Sequence, residues 1–139
     1  MNKKIIMLAS ALGGLAVLLG AFGAHGLETL IEQGKLEPDR ITTWETAVQY
    51  HFYHTCALLI LALGWNKLNE RFVRYAKNCF LYGIIIFSGS LYLLTASPLL
   101  AGHELSWLGA ITPIGGILFI AGWICLFIAA KRSGGEVSK

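Results

Sequence analysis

The stretch Ala47-Val48-Gln49-Tyr50-His51-Phe52-Tyr53-His54-Thr55 sets two histidines, two tyrosines and a glutamine at the head of a long apolar run. Imidazoles three apart on a helix can both face one metal ion, and His25 offers a third nitrogen from elsewhere in the chain. Two imidazoles from different helices, His25 and His54, could instead hold a haem b. Against metal catalysis, no carboxylate accompanies the histidines within the run, and catalytic zinc usually has a carboxylate behind its histidine ligands. The sequence shows no Ser-His-Asp set, no glycine-rich phosphate loop and no paired intramembrane carboxylates, so it names no catalytic residue. At about 100° per residue, Gln49, Tyr53, Thr46, Tyr50 and His54 fall on one continuous arc, with His51 just beyond the His54 edge. A polar arc on a helix apolar enough to enter a membrane needs protein or trapped water to receive it.

The rest of the chain has to position that arc, and its composition says in what solvent. Of 139 residues, 55% are hydrophobic and 14% charged, where a soluble domain carries roughly 25% charged residues. The charges are confined to the ends and connections. They leave four nearly uncharged runs, about 5–24, 45–64, 75–97 and 107–130, each of the roughly 20 residues that cross a hydrocarbon core. The expectation is one all-α domain over 1–139, an integral membrane four-helix bundle. Lys3, Lys4, Lys67, Arg71, Arg74, Lys77, Lys131, Arg132 and Lys139 cluster at the termini and the second connection. The positive-inside rule therefore puts both termini in the cytoplasm. These basic residues read as topology signals, and nucleic acid is not a partner; the lipid bilayer is. Cys56, Cys79 and Cys125 lie in different runs without ligand spacing and read as small buried hydrophobes.

In the first run Ala9, Gly13, Ala16, Gly20 and Gly23 recur at spacings of four and three, a seam that lets a neighbouring helix approach closely. A cleaved leader would have no use for such a seam, so the run is read as a retained span rather than a signal peptide. The glycines around His25 predict a backbone that turns or loosens at the outer interface. A short amphipathic helix with Leu27, Leu30 and Ile31 would then lie on the membrane surface in the first outer connection. That connection is acidic and reads as a solvated loop. Thr42-Thr-Trp-Glu45 fits a capping box opening the second run, Pro98 is expected to end the third, and Pro113 to kink the fourth. The tail beyond Arg132 is expected to fray.

With alternating directions, polar groups from all four runs gather toward the outer side. They are His25, Gln49, Tyr50, Tyr53 and His54, then Ser88, Ser90, Tyr92 and Thr95, then Thr112 beside Pro113. The cytoplasmic halves are nearly pure hydrocarbon. This convergence predicts an outward-facing ligand site built from His25, Gln49, Tyr50, His54, Ser88, Ser90, Tyr92 and Thr112. Plainer roles compete residue by residue: Ser88, Ser90 and Thr112 as helix–helix glue, Tyr50 and Tyr92 as buried rings, and His54 as a neutral histidine bonded to a neighbour. Gly13, Gly20, Gly23, Gly115 and Gly116 are the candidate packing positions.

Gly20-Ala-Phe-Gly-Ala-His25-Gly-Leu27, Trp44-Glu-Thr-Ala-Val-Gln-Tyr50 running into His54, Phe87-Ser-Gly-Ser-Leu-Tyr92, and Ile111-Thr-Pro-Ile-Gly-Gly116 with Gly122-Trp123 occur in that order. In them the chain resembles the YgdD/YwdK-like small bacterial membrane proteins, a family defined as a domain of unknown function. The resemblance covers nearly the whole chain. It implies a multi-pass protein of the bacterial inner membrane, with no established activity or cofactor and no catalytic residues to carry over. It also implies that His25, Tyr50 and His54 belong to the shared pattern, whereas His51 stands where the family often has glutamine. That shifts any metal or haem site from the His51–His54 pair to His25 with His54. Three function classes remain: a non-enzymatic binding or accessory protein, holding a small ligand, a lipid headgroup or a partner helix; a haem or metal protein; and a small transporter or channel working as a homo-oligomer or with a partner membrane protein.

Overall fold

The computed structural model describes residues 1–133. Among them every regular element is helical: α1 (Lys3–Phe22), a π turn (Gly23–Leu27), α2 (Glu28–Glu32), α3 (Arg40–Gly64), α4 (Glu70–Gly83), a second π turn (Ile84–Ser88), α5 (Gly89–Ala101) and α6 (Trp107–Ser133). The π turns do not interrupt their helices, so these elements form four rods. Lys3–Glu32, Glu70–Ala101 and Trp107–Ser133 are long and apolar enough to cross a membrane. The remaining rod, α3, is of similar length, but Gln49, Tyr50, His51, Tyr53 and His54 dilute its apolar character. Leu18, Ile60, Leu100, Ile117 and Phe127 all face outward, an apolar perimeter suited to hydrocarbon and not to water.

The rods alternate in direction. The start of α1 meets the end of α3, where Asn2 N–H donates to the Ala62 carbonyl at 2.9 Å. The start of α4 likewise meets the end of α6, where Asn69 N–H reaches the Ala129 carbonyl at 3.3 Å. One end of the molecule thus carries the start of the chain and residues 65–69 and is rich in lysine and arginine. The other end carries the connections 33–39 and 102–106 with Glu32, Glu37, Asp39 and Glu104. We call these the basic and acidic ends. Across the acidic end Arg40 Nη2 pairs with Glu104 at 2.7 Å and ties the first connection to the last.

The small-residue seam of α1 packs inside the chain. Ala9 and Ala16 are buried, and a Cβ on Gly13 would meet Thr55, on Gly20 Val48, and on Gly23 the Trp44 ring. Two apolar clusters result. Toward the basic end, Leu58, Leu61, Val73, Ala76, Phe80, Ile84 and Phe119 fill the space between α3, α4 and α6. Toward the acidic end, Leu27, Leu36 and Trp44 close the space between the first rod and α3.

Several local expectations are corrected. The glycines around His25 do not release the helix: the loosening is a single π turn, and α2 is the last stretch of the first rod rather than a separate surface helix. The first rod therefore ends at Glu32 rather than near residue 24. α3 begins at Arg40, five residues before the expected start, with Asp39 at the N-cap and no side-chain cap bond, so Thr42–Glu45 is not a capping box. Instead Thr46 Oγ1 donates back to the Thr42 carbonyl at 2.9 Å. The third rod starts at Glu70 and passes through Pro98 to Ala101, ending at Gly102 in the left-handed region (φ 71°). It tolerates Pro98 because Ser97 Oγ donates to the Leu94 carbonyl at 2.8 Å, the acceptor that the proline cannot serve. α6 runs unbroken through Pro113. The tail expected to fray falls mostly on 134–139, outside the described residues.

Candidate functional site

α3 distributes its polar arc in three directions instead of presenting it to one pocket. Its buried stripe is Trp44, Ala47, His51, His54, Thr55, Leu58, Leu61 and Ala62, the spacing of a helix covered on one side. Gln49 and Tyr53 turn toward a shallow groove beside α1, lined also by Ala16, Gly20, Val48 and Phe52. Tyr50 and His54 turn toward α6. His51 points into the core, although angular position had set it at the edge of the arc.

His54 is enclosed. Its imidazole lies flat on Phe119, centroids 3.5 Å apart and planes 8° from parallel, with Tyr50 stacked at 6.0 Å and Phe80 at 5.6 Å. Nδ1 sits 2.8 Å from the Tyr50 carbonyl. A carbonyl only accepts, so Nδ1 carries the proton and Nε2 is the acceptor for the Trp123 indole N–H at 3.3 Å. Both nitrogens are therefore engaged and the ring is neutral; a second proton on Nε2 would face the Trp123 donor head-on.

The wall around His54 is built by a repeated pattern. Phe80 lies over Gly122 and Phe119 over Gly83: a Cβ on either glycine would come within 2.6 Å of the opposing ring. Phe80-Leu-Tyr-Gly83 in α4 and Phe119-Ile-Ala-Gly122 in α6 are the same Phe-x-x-Gly unit, read antiparallel. Phe80, Phe87, Phe119 and Trp123 were not singled out as site residues by sequence; the paired Phe-x-x-Gly units were the available signal. Beside them runs a groove of about 460 Å³, lined by Tyr50, His54, Phe87, Pro113, Gly116, Ile117, Phe119, Ile120 and Trp123.

The other expected residues lie elsewhere. Ser90 and Thr112 bond each other across α5 and α6 at 2.8 Å, beside the point where Gly115 meets the Phe87 backbone. Ser88 is buried on the second π turn. Tyr92 places its hydroxyl 3.3 Å from His51 Nδ1 and its ring against Trp44 at 4.7 Å. The Trp44 indole in turn donates to the Leu19 carbonyl at 2.8 Å. His25 is exposed on the first π turn; its carbonyl accepts from the Glu28 N–H and from Thr29 Oγ1 at 2.9 Å. Among the described residues no three His, Cys, Asp or Glu side chains gather closely enough to hold a metal ion. A haem held by His25 and His54 does not fit: one ring faces outward at the acidic end, and the other has no free nitrogen.

Residues 19–116 match the family model described as "Protein of unknown function (DUF423)". The chain belongs to this family. It is 43% identical over 131 residues to the UPF0382 membrane protein YwdK of Bacillus subtilis, covering 94% of this chain and 98% of that one. It is also 43% identical to the UPF0382 membrane protein SAB0533 of Staphylococcus aureus (strain bovine RF122), covering 96% and 99%. A UPF0382 membrane protein of Haemophilus influenzae is 39% identical over 134 residues, covering 96% and 98%. No solved structure matches. The family is one of membrane proteins by name, and three rods of this chain have the length and composition of membrane spans.

Proposed function

We propose that this family member crosses the bacterial inner membrane four times, with both termini and residues 65–69 in the cytoplasm, and serves as a non-enzymatic binding protein. The charge difference between the two ends supports the orientation. Coverage of the two histidines supports insertion of α3: His51 and His54 are buried by neighbouring rods, whereas Gln49, Tyr50 and Tyr53 stay at the surface.

The ligand in this reading is a lipid-soluble molecule, most simply the hydrocarbon part of a membrane lipid, lying in the groove between Tyr50 and Trp123. The observation that carries it is that groove: aromatic, about 460 Å³ in volume, and next to the one histidine whose ring is fixed on every side. Its size falls in the range of small-molecule sites, roughly 300–1,000 Å³. His54 positions the wall by holding Trp123; it does not act as an acid, base or ligand. Gln49 and Tyr53, on the side of α3 next to α1, form the surface on which a second copy or a partner membrane protein would lie.

Gly116→Leu tests the site. A Cβ there meets nothing nearer than the Phe87 ring at 3.9 Å, so the longer side chain extends into the groove without displacing backbone. Native mass spectrometry from mild detergent should show lipid adducts on the wild type that Gly116→Leu lacks. Equal adducts on both proteins would refute the reading.

A further inference from the structure

Between the two apolar clusters lies a thin polar layer with more hydrogen-bonding capacity than the protein itself satisfies. His51 Nε2, Thr55 Oγ1, Ser88 Oγ and Thr95 Oγ1 are all buried and have no hydrogen-bond partner among the described residues. Their residues are 2%, 4%, 1% and 0% exposed, respectively. The elements that carry them are packed together: α3 lies against both the second π turn and α5. His51 and Thr55 are one turn apart on the buried stripe of α3. Ser88 and Thr95 flank Tyr92 at four and three residues on the third rod, and the Tyr92 hydroxyl reaches His51 Nδ1. Because α3 and α5 run in opposite directions, Thr55 and Ser88 both lie one turn toward the basic end from the His51–Tyr92 contact. The second π turn ends at Ser88, a deformation that helices often place at functional positions. Leu27, Leu36 and Trp44 seal the layer toward the acidic end; Leu58, Leu61, Phe80 and Ile84 seal it toward the basic end.

We propose that this layer is an internal water-binding site, in which ordered water molecules bridge His51 Nε2 to the Thr55 and Ser88 hydroxyls, with Thr95 at its far edge. A buried water typically makes about three hydrogen bonds to polar groups that are otherwise unsatisfied, and this layer offers four such atoms. An alkali cation fits less well. Among the described residues no Asp or Glu is buried, so the ion's charge would be uncompensated in a low-dielectric interior, and one of the four donors is an imidazole nitrogen rather than oxygen. Water is neutral, and it serves His51 in either tautomer, accepting from Nε2–H or donating to a bare Nε2. The layer is distinct from the aromatic groove: His51 is turned toward Tyr92 and α5, His54 toward Phe119 and α6.

The test is water-edited solid-state NMR on the full chain in lipid bilayers. Magnetisation transferred from water should reach the His51 ring and Thr55 side-chain signals well before those of Phe80 and Leu61, as it does for exposed His25. Transfer to His51 and Thr55 no faster than to Phe80 overturns the proposal. A second measurement reads the same question through stability. Thr55→Val and Ser88→Ala should each lower the melting temperature, because they remove a water anchor, while Thr55→Ser, which keeps the hydroxyl, retains the transfer. In a dry layer the same substitutions remove an unpaired buried hydroxyl, and the melting temperature stays level or rises; that result also overturns it.

Discussion

Gly115→Ala should be among the most damaging single-methyl additions in this protein, and the reason is geometric. A Cβ at Gly115 would sit 2.4 Å from the Phe87 nitrogen and 2.7 Å from the Phe87 Cα. Both are backbone atoms of the second π turn, so no rotamer change relieves the overlap. α6 and the third rod must part by about 1 Å to restore ordinary contact, and overpacking of this kind costs about 1–3 kcal/mol. The separation also stretches the neighbouring Ser90–Thr112 bond, 2.8 Å long, past hydrogen-bonding distance. That adds about 0.5–1.5 kcal/mol. The expected loss is about 1.5–4.5 kcal/mol, a large share of a typical folding free energy. Gly116→Ala is the internal control, because its Cβ would find nothing nearer than 3.9 Å. Reversible unfolding of both variants in mixed micelles, titrated with denaturing detergent, reads the difference. If Gly115→Ala unfolds within about 0.5 kcal/mol of Gly116→Ala, the ordinary range for substitutions away from such features, the close approach of Phe87 to α6 is wrong.

The remaining predictions use the same kinds of contact. Gly23→Ala would bring a Cβ within 2.6 Å of the Trp44 ring. The indole must swing away from the Leu19 carbonyl, so the variant should lose about 1–2 kcal/mol, with altered tryptophan emission as its signature. Trp123→Phe removes the donor to His54 Nε2; it should cost about 0.5–1.5 kcal/mol and move the ¹⁵N resonance of that nitrogen, with His51 unchanged. Glu104→Gln removes the negative charge that pairs with Arg40 across the acidic end. Because Glu104 is 46% exposed and screened by solvent, the loss should be about 1 kcal/mol or less in low salt and smaller in 1 M salt, measured as a melting temperature in each.

The rods were legible because their signal is redundant: each apolar run is bounded by charges, and losing one residue from the count does not change the reading. Rod ends were less legible, since they depend on single side chains. Pro98 stops a helix only if the carbonyl it strands goes unserved, and Ser97 serves it. The glycines around His25 loosen the helix by one turn without breaking it, because Gly23 also has to lie under Trp44 and the rod has to stay straight enough to cover it. The direction of the α3 arc was hidden for a different reason. Angular periodicity orders side chains around a helix but does not say which neighbour covers which sector. α3 has neighbours on three sides, so its polar groups were divided among them instead of converging.

That division bears on what the histidines do. Gln49, Tyr50 and His54 were grouped by their polarity, yet in the fold each meets a different environment: a shallow groove at α1, the lip of an aromatic groove, and a ring stacked on Phe119. Ligation requires a free nitrogen, and His54 has none because Tyr50 and Trp123 take both. His51, with Nδ1 near Tyr92 and Nε2 unmatched by any described group, is the buried histidine with chemistry left over. Its place between two apolar clusters makes that surplus costly unless a polar guest meets it. The two regions therefore call for different partners: the groove at His54 suits hydrocarbon, and the layer at His51 suits water. A substitution that fills the groove, such as Gly116→Leu, should leave the His51 water signal unchanged. Thr55→Val should likewise leave lipid adducts unchanged. If either variant altered both readouts, the two regions would be one site, and the separation drawn from the opposite facing of His51 and His54 would be wrong.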